Sequence, residues 1–168
     1  MAIGSKGRTQ GKLPDSRILG DPGTDAFRID RYPFYLLNRL VSRYNSVIGG
    51  RLKTIGLDIP QWRVLMVLGE SRPLGVSDIA DRAVINLSTA TRIVQRMVSS
   101  GLLKVETSRT DSRVTEADLT PLGLELLARA RATTTPVYAS VIRDFDARRF
   151  EELIESLACM HANLDKEV

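Results

Sequence analysis

The sequence predicts a mainly α-helical protein that carries one small β-hairpin. Apolar residues recur at three- and four-residue steps in several separate segments, as they do along the buried face of a helix. Two short segments that flank a charged, turn-forming tip have instead the pattern of a hairpin. With 168 residues, 43% of them hydrophobic, the chain is long enough to form one domain with a sizeable core.

The chain is expected to begin with a flexible arm over residues 1–27, followed by a helix. The arm contains five glycines, two prolines and isolated apolar residues, so burial there would hardly offset the entropy of ordering. The first strong helical periodicity runs from Tyr32 to Leu52, and Gly56 ends the segment.

Three shorter helices are predicted next. Pro60 suits the first turn of the second helix, which is almost wholly apolar from Trp62 to Leu68 and therefore belongs to the core. After a break at residues 72–75, Ser77 is the expected N-cap of a two-turn helix that ends at Ala83. A further helix, from Ser88 to Ser100, has an apolar face and a polar face, and Gly101 ends it.

A hairpin and two further helices complete the prediction. Residues 102–106 and 114–119 pair as strands around a tip at 107–113. Thr120 and Pro121 signal the start of a long helix, which Pro136 is expected to kink or break. Asp146 is a cap for the last helix, whose apolar stripe consists of Phe150, Leu153, Ile154, Leu157 and Leu164.

Positive charge is concentrated in one stretch of the chain. The whole sequence carries +4, with a pI near 9.5. Between Arg82 and Arg113, six basic residues stand against two acidic ones, which is also +4, and the remainder is balanced. Short helices, a helix with a polar outer face and a hairpin with a basic tip together make a winged helix-turn-helix. In that arrangement the helix fits the DNA major groove, and the negative potential of an adjacent minor groove attracts a wing arginine.

At this point the sequence resembles the MarR family of transcriptional regulators. The resemblance covers residues 28–165 and is carried by 76–80, 87–97 and 101–103, and most specifically by Asp111-Ser-Arg113 followed by Leu119-Thr-Pro-Leu-Gly123. It implies a first dimerisation helix at 28–58, a winged helix-turn-helix at 59–120 and dimerisation helices at 121–168. A homodimer would offer two winged helices to a pseudo-palindromic double-stranded operator.

The resemblance also assigns the DNA-binding residues. On the third helix of the winged region they are Ser88, Thr89, Arg92, Gln95 and Arg96. In the wing, Arg113 would enter the minor groove, Asp111 would orient it through a charge-assisted hydrogen bond, and Arg109 adds charge to the tip. The alternatives are a solvated helix face for the first group and a simple surface ion pair for Arg113 and Asp111.

A small-molecule effector is the next expectation from the resemblance. Family members bind small ligands between the dimer helices and the winged helix. An aromatic or phenolic acid, or its CoA thioester, needs apolar walls with a few cationic or hydroxyl groups, and the candidates are Tyr35, Arg39, Trp62, Arg63 and Met66. Core or dimer packing is the alternative for these residues. The chain is accordingly expected to be a repressor that such an acid releases from DNA.

Two rival functions and several exclusions follow from the sequence. The rivals are a constitutive or architectural DNA-binding dimer without an effector, and a protein-interaction module, which would need no basic face. Cys159 is expected to pack in the last helix, and with His161 it cannot supply four zinc ligands, so neither a metal nor a cofactor is expected. The sequence contains neither a phosphate-binding glycine loop nor a nucleophile elbow, so an enzyme is not expected. Without an apolar span or a signal-like leader, the expected location is cytoplasmic.

Overall fold

The structure, a computed structural model, describes residues 15–108 and 113–166. The predicted DNA-binding residues Arg109 and Asp111 lie outside the described residues. Helices and strands follow one another in the order α1 Pro33–Lys53, α2 Ile59–Glu70, β1 Leu74–Gly75, α3 Val76–Arg82, α4 Leu87–Ser99, β2 Leu103–Thr107, β3 Thr115–Leu119, α5 Pro121–Val141 and α6 Ala147–Leu164. The chain forms two compact units, Met1–Tyr44 and Asn45–Val168, and α1 begins in the first and ends in the second.

The first unit contains two short 3-10 helices, Arg17–Gly20 and Ile29–Arg31, before α1. The backbone N–H of Arg28 donates to the carbonyl of Leu19 at 2.8 Å. The ring of Tyr32 meets those of Phe27 and Phe34 edge to face, with centroids 5.8 and 5.5 Å away. Residues 15–27 of the predicted flexible arm thus contain a 3-10 turn and local contacts, of which the composition alone gives no sign.

Helix α2 forms the centre of the second unit, as predicted. Val64, Leu65 and Leu68 are fully buried, and α2 packs against α3, α4, α5 and β3. The start of the helix is fixed by Asp58, whose side chain accepts from the backbone N–H of Gln61 at 2.7 Å. The Gln61 side chain accepts in return from the Asp58 N–H at 3.1 Å. This capping box has a recognisable Asp-x-x-Gln spacing that the sequence analysis did not use.

The break predicted at residues 72–75 contains a short strand. In β1, Leu74 pairs with Ala117 and Gly75 with Glu116, so β1 adds to the hairpin and the sheet has the antiparallel order β1-β3-β2. Helix α3 begins immediately after this strand, with Gly75 as N-cap and no side-chain capping bond. The prediction of Ser77 as N-cap is therefore wrong, because sheet pairing sets where the helix starts.

The predicted hairpin is confirmed. Strands β2 and β3 pair from Leu103 opposite Leu119 to Thr107 opposite Thr115. One end of the hairpin is anchored in the core, since Leu103, Ala117 and Leu119 are buried. The strands therefore extend from a fixed base, and Thr107 and Thr115 form the last pair at the other end.

Helix α5 begins at the predicted cap. The hydroxyl of Thr120 accepts from the N–H of Gly123 at 3.1 Å and donates to the carbonyl of Gly101 at 2.6 Å. The helix continues through Pro136 to Val141, so a break at that proline is wrong. Thr134 and Val137 are buried on either side of it, and this packing keeps the segment helical despite the missing N–H.

Helix α6 also begins at its predicted cap, where the Asp146 side chain accepts from the Arg149 N–H at 2.8 Å. None of its residues is buried. The predicted stripe is largely open to solvent, with Leu153, Ile154 and Leu157 between 37% and 45% exposed. Within the described parts of the chain, no helix has the length and apolarity needed to cross a membrane.

Candidate nucleic-acid interface

Helix α4 has one buried face and one open face. Ala90, Ile93, Val94 and Met97 are buried. The helix starts at a side-chain cap, since the Asn86 Oδ1 accepts from the N–H of Thr89 at 2.8 Å and from the Ser88 hydroxyl at 3.0 Å. Asparagine is a strong N-cap residue, so Asn86 is a signal in the sequence for the start of α4. Packing and capping together fix both the rotation and the start of α4.

The open face of α4 carries all five predicted contact residues of this helix. Ser88, Arg92, Gln95 and Arg96 are exposed, and Thr89 is half-buried. Among the residues that the structure describes, the Arg92 guanidinium and the Gln95 side-chain amide form neither a hydrogen bond nor an ion pair, while the Gln95 backbone carbonyl accepts from the Ser99 hydroxyl at 3.0 Å. Their guanidinium and amide groups can therefore hydrogen-bond to a ligand without breaking an internal contact.

Arg96 lies at the edge of a groove that the sequence did not predict. The groove has a volume of about 770 Å³ between the start of α2 and the open face of α4. The Nη2 of Arg96 is 4.0 Å from Oδ2 of Asp58, and both side chains are mostly exposed. Ion pairs of this kind contribute little to stability, so Arg96 can be drawn away from Asp58 at small cost.

Helix α4 ends in a turn that leads directly into the wing. Gly101 has a φ of +71°. Its N–H donates to the carbonyl of Val98 and the N–H of Leu102 to that of Met97, both at 2.9 Å. This is a Schellman motif with glycine at the left-handed position, as the sequence predicts. Strand β2 starts two residues later, so the positions of α4 and the wing are coupled.

The wing presents Arg113 beside its tip. Arg113 is exposed and directly follows the undescribed residues 109–112. At the base of the wing, the carboxylate of Asp118 lies 3.5 Å from Nε of Arg72 and 3.9 Å from Nζ of Lys104. These contacts join the segment before β1 to both strands of the hairpin. The contact of Lys104 with Asp118 joins opposite residues of the predicted hairpin, whereas that of Arg72 depends on β1 lying beside β3, which the sequence does not indicate.

The predicted effector-binding residues lie on two helices. Trp62, Arg63 and Met66 are half-buried on α2. The Nη1 of Arg63 donates to the carbonyls of Ala83 and Val84, at 3.4 and 3.5 Å. In the first unit, the Cζ of Arg39 lies 5.6 Å from the ring centre of Tyr35, a cation–π contact. None of these five residues lines the groove beside α4.

The last helix differs from its prediction at Cys159. The thiol is exposed rather than packed, because α6 does not bury any of its faces. Nearby, the Nδ1 of His161 is 3.5 Å from a carboxylate oxygen of Asp165. Within the described residues, no group of three or more His, Cys, Asp or Glu side chains is placed to hold a metal ion.

The architecture is that of a winged helix-turn-helix protein. Helices α3 and α4 form the helix-turn-helix, and β2 and β3 form the wing. The MarR family model matches residues 55–114, which contain α2 to β2 and reach the wing tip. The chain belongs to the MarR family of transcriptional regulators, which are not enzymes.

Two curated relatives and one solved structure illustrate the similarity. The transcriptional repressor IacR of Pseudomonas putida is 35% identical over 145 residues, covering 86% of this chain and 87% of the relative. The homoprotocatechuate degradative operon repressor of Escherichia coli is 30% identical over 106 residues, covering 63% and 72%. A MarR family regulator from Silicibacter pomeroyi has a TM-score of 0.76 at 25% identity, covering 84% of this chain and 95% of that one.

Proposed function

We propose that the protein is a dimeric repressor that binds a pseudo-palindromic operator through α4 and the wing, and that an aromatic acid or its thioester releases it. The open face of α4 carries this proposal. Its polar side chains stand on a helix whose position is fixed by buried residues and by the Asn86 cap. A helix of this kind fits the major groove of B-DNA.

Different residues of the interface would perform different tasks. The Arg92 guanidinium and the Gln95 amide suit the edges of guanine and adenine, which they can meet with two hydrogen bonds each. Ser88 and Thr89, at the start of α4, would contact phosphates together with the partial positive charge of the helix N-terminus. Arg96 would exchange Asp58 for a phosphate. Arg113 would enter the minor groove next to the wing, oriented by Asp111, while Arg109 adds positive charge there.

Dimerisation is supported by apolar side chains that a single chain leaves open. On α6 these are Leu153, Ile154, Leu157 and Leu164, which are 37–54% exposed. On α1, Leu36, Leu40 and Val41 are 47–55% exposed. Apolar side chains exposed side by side on α1 and on α6 favour burial against a second copy. Two recognition helices related by a twofold axis would then meet half-sites about 34 Å apart.

The effector part of the proposal rests on chemistry and on one relative. Homoprotocatechuate, after which the Escherichia coli repressor is named, is a phenolic acid. Trp62 and Met66 offer apolar surface on α2, and Tyr35, Arg39 and Arg63 offer hydroxyl and cationic groups. A ligand releases DNA only when it binds more tightly to the arrangement that does not fit the operator.

The decisive experiment is capture of genomic DNA by the purified full chain, followed by electrophoretic shift on the best fragment at several salt concentrations. Arg92→Ala is expected to weaken binding by about 5- to 150-fold, which corresponds to one bidentate base contact. Arg113→Ala should weaken binding and reduce the salt slope by about one. Arg129→Ala, at an exposed position of α5, is the matched control and should behave as wild type.

Four results would contradict the proposal. Weak binding to all fragments would favour an architectural role, and absence of binding would favour a protein-interaction module. Unchanged affinity and salt slope in Arg92→Ala and Arg113→Ala would remove α4 and the wing from the interface. A panel of aromatic acids that changes neither the melting temperature nor operator binding would contradict the effector, because a ligand that binds the native state raises its melting temperature.

A further inference from the structure

The turn between α3 and α4 contains a strained residue. Val84 has a φ of +53°, and within the described residues no other non-glycine residue has a positive φ. β-branched side chains are disfavoured in this left-handed region because Cβ approaches the backbone too closely. The side chain of Val84 is 80% exposed, so its own burial does not offset the strain.

Val84 occupies the position that glycine normally takes after a helix. Its N–H donates to the carbonyl of Asp81, and the N–H of Ile85 to that of Ala80, both at 3.0 Å. This is the same Schellman motif that ends α4, where the left-handed residue is Gly101. A strained backbone of this kind persists only when surrounding contacts hold it in place.

The contact that holds this turn comes from α2. The Nη1 of Arg63 donates to both Ala83 O, at 3.4 Å, and Val84 O, at 3.5 Å. These are the carbonyls at the end of α3, where a positive charge is also favoured by the helix dipole. Within residues 15–108 and 113–166, Arg63 forms no ion pair, so its charge is directed to the turn.

We infer that Arg63 is a positioning residue for DNA binding, which holds the left-handed turn at Val84 and thereby fixes where the recognition helix begins. The N-cap of α4 is Asn86, two residues beyond Val84. Only Ile85 lies between them, so a change in the backbone at Val84 also shifts the start of α4. The effect of Arg63 on DNA binding rests on the proposed function, in which α4 enters the operator.

The test replaces Arg63 by methionine, which keeps the aliphatic stem and removes the donors. In Arg63→Met, amide hydrogen exchange at Ile85 is expected to rise about tenfold, while that at buried Leu68 stays unchanged. Operator affinity should fall about tenfold with an unaltered salt slope, because no phosphate contact is lost. Adding Val84→Gly should bring both values back to within about threefold of wild type, since glycine relieves the strain.

Arg131→Met is the matched control. Arg131 donates to the carbonyl of Gly69 at 3.4 Å, in the last turn of α2, and not to the α3–α4 turn. The Arg131→Met variant should leave amide hydrogen exchange at Ile85 and the operator affinity unchanged. If Arg63→Met does not fold, Arg63→Lys, which keeps the charge without the planar fork, should show a smaller rise at Ile85.

The possible failures are distinguishable. Unchanged amide exchange at Ile85 in Arg63→Met overturns the role of Arg63. If only Arg63→Lys folds, unchanged exchange in that variant does the same. The role is also overturned if the double variant Arg63→Met, Val84→Gly has the same exchange and operator affinity as Arg63→Met alone. Faster exchange at Leu68 as well as Ile85 also overturns it, since that would be general destabilisation. Wild-type protein that binds no operator overturns the proposed function instead, because the exchange measurement needs no DNA.

Discussion

Replacing Gly123 by alanine tests the close approach between α5 and the wing. A Cβ at this position would collide with the backbone carbonyl oxygen of Leu102 and would lie 3.2 Å from Cδ2 of Leu119. The Leu102 oxygen cannot retreat freely, since it accepts from the Thr120 N–H at 3.1 Å and shares the single hydroxyl proton of Thr120 with the Gly101 carbonyl, at 3.1 and 2.6 Å. Overpacking costs about 1–3 kcal/mol, and lengthening these hydrogen bonds adds to it.

The net destabilisation expected for Gly123→Ala is about 2–3 kcal/mol, after subtraction of the small helix-propensity gain of alanine. For a chain of this size, that lowers the melting temperature by roughly 5–10 °C. Differential scanning calorimetry would measure it against Gly50→Ala, since Gly50 is exposed in α1 and has no neighbouring atom within 4 Å of an added Cβ. The control should be neutral or slightly stabilised. Equal melting temperatures for Gly123→Ala and wild type would refute the argument.

Two further predictions concern backbone strain and an exposed ion pair. Gly101→Ala should destabilise by about 1 kcal/mol through φ alone, since an added Cβ meets no atom within 4 Å; calorimetry showing no loss would contradict this. The hydrogen bonds from the Arg17 guanidinium hold the pKa of Asp15 at about 2, below its usual 3.8. Because the folded pKa is lowered, the pair's contribution is present above pH 3.8 and is lost as the pH falls towards 2. In Arg17→Gln the pKa of Asp15 should return towards 3.8 by NMR titration, and a value still near 2 would contradict the assignment.

Much of the winged region is predictable because its signals are local. The Thr120 cap, the Gly101 turn and the two faces of α4 each depend on residues within a few positions of one another, as does the Asp146 cap of α6 outside this region. The prediction missed features that join distant residues. Strand β1 has two residues, too few for a periodic pattern, and it exists because β3 lies beside it.

In the candidate site, too, the sequence predicts the features that depend on neighbouring residues and not those that depend on distant ones. The outward direction of Arg92 and Gln95 follows from the helical period, since the buried residues of α4 occupy the opposite face. The bond from Arg63 to the α3–α4 turn joins positions 20 and 21 residues apart, so no local pattern in the sequence indicates it. Order in residues 15–27 was also missed, because it depends on ring contacts such as that between Phe27 and Tyr32.

The sequence by itself determined the helices, the hairpin, the polar face of α4 and the family, because periodicity, caps and short motifs are properties of neighbouring residues. The tertiary structure decided the third strand, the start of α3, the continuation of α5 through Pro136 and the left-handed conformation of Val84. In each of these cases the intrinsic conformational preference of the local residues is weak or favours a different conformation. Contacts with residues distant in the chain supply the free energy that selects the conformation.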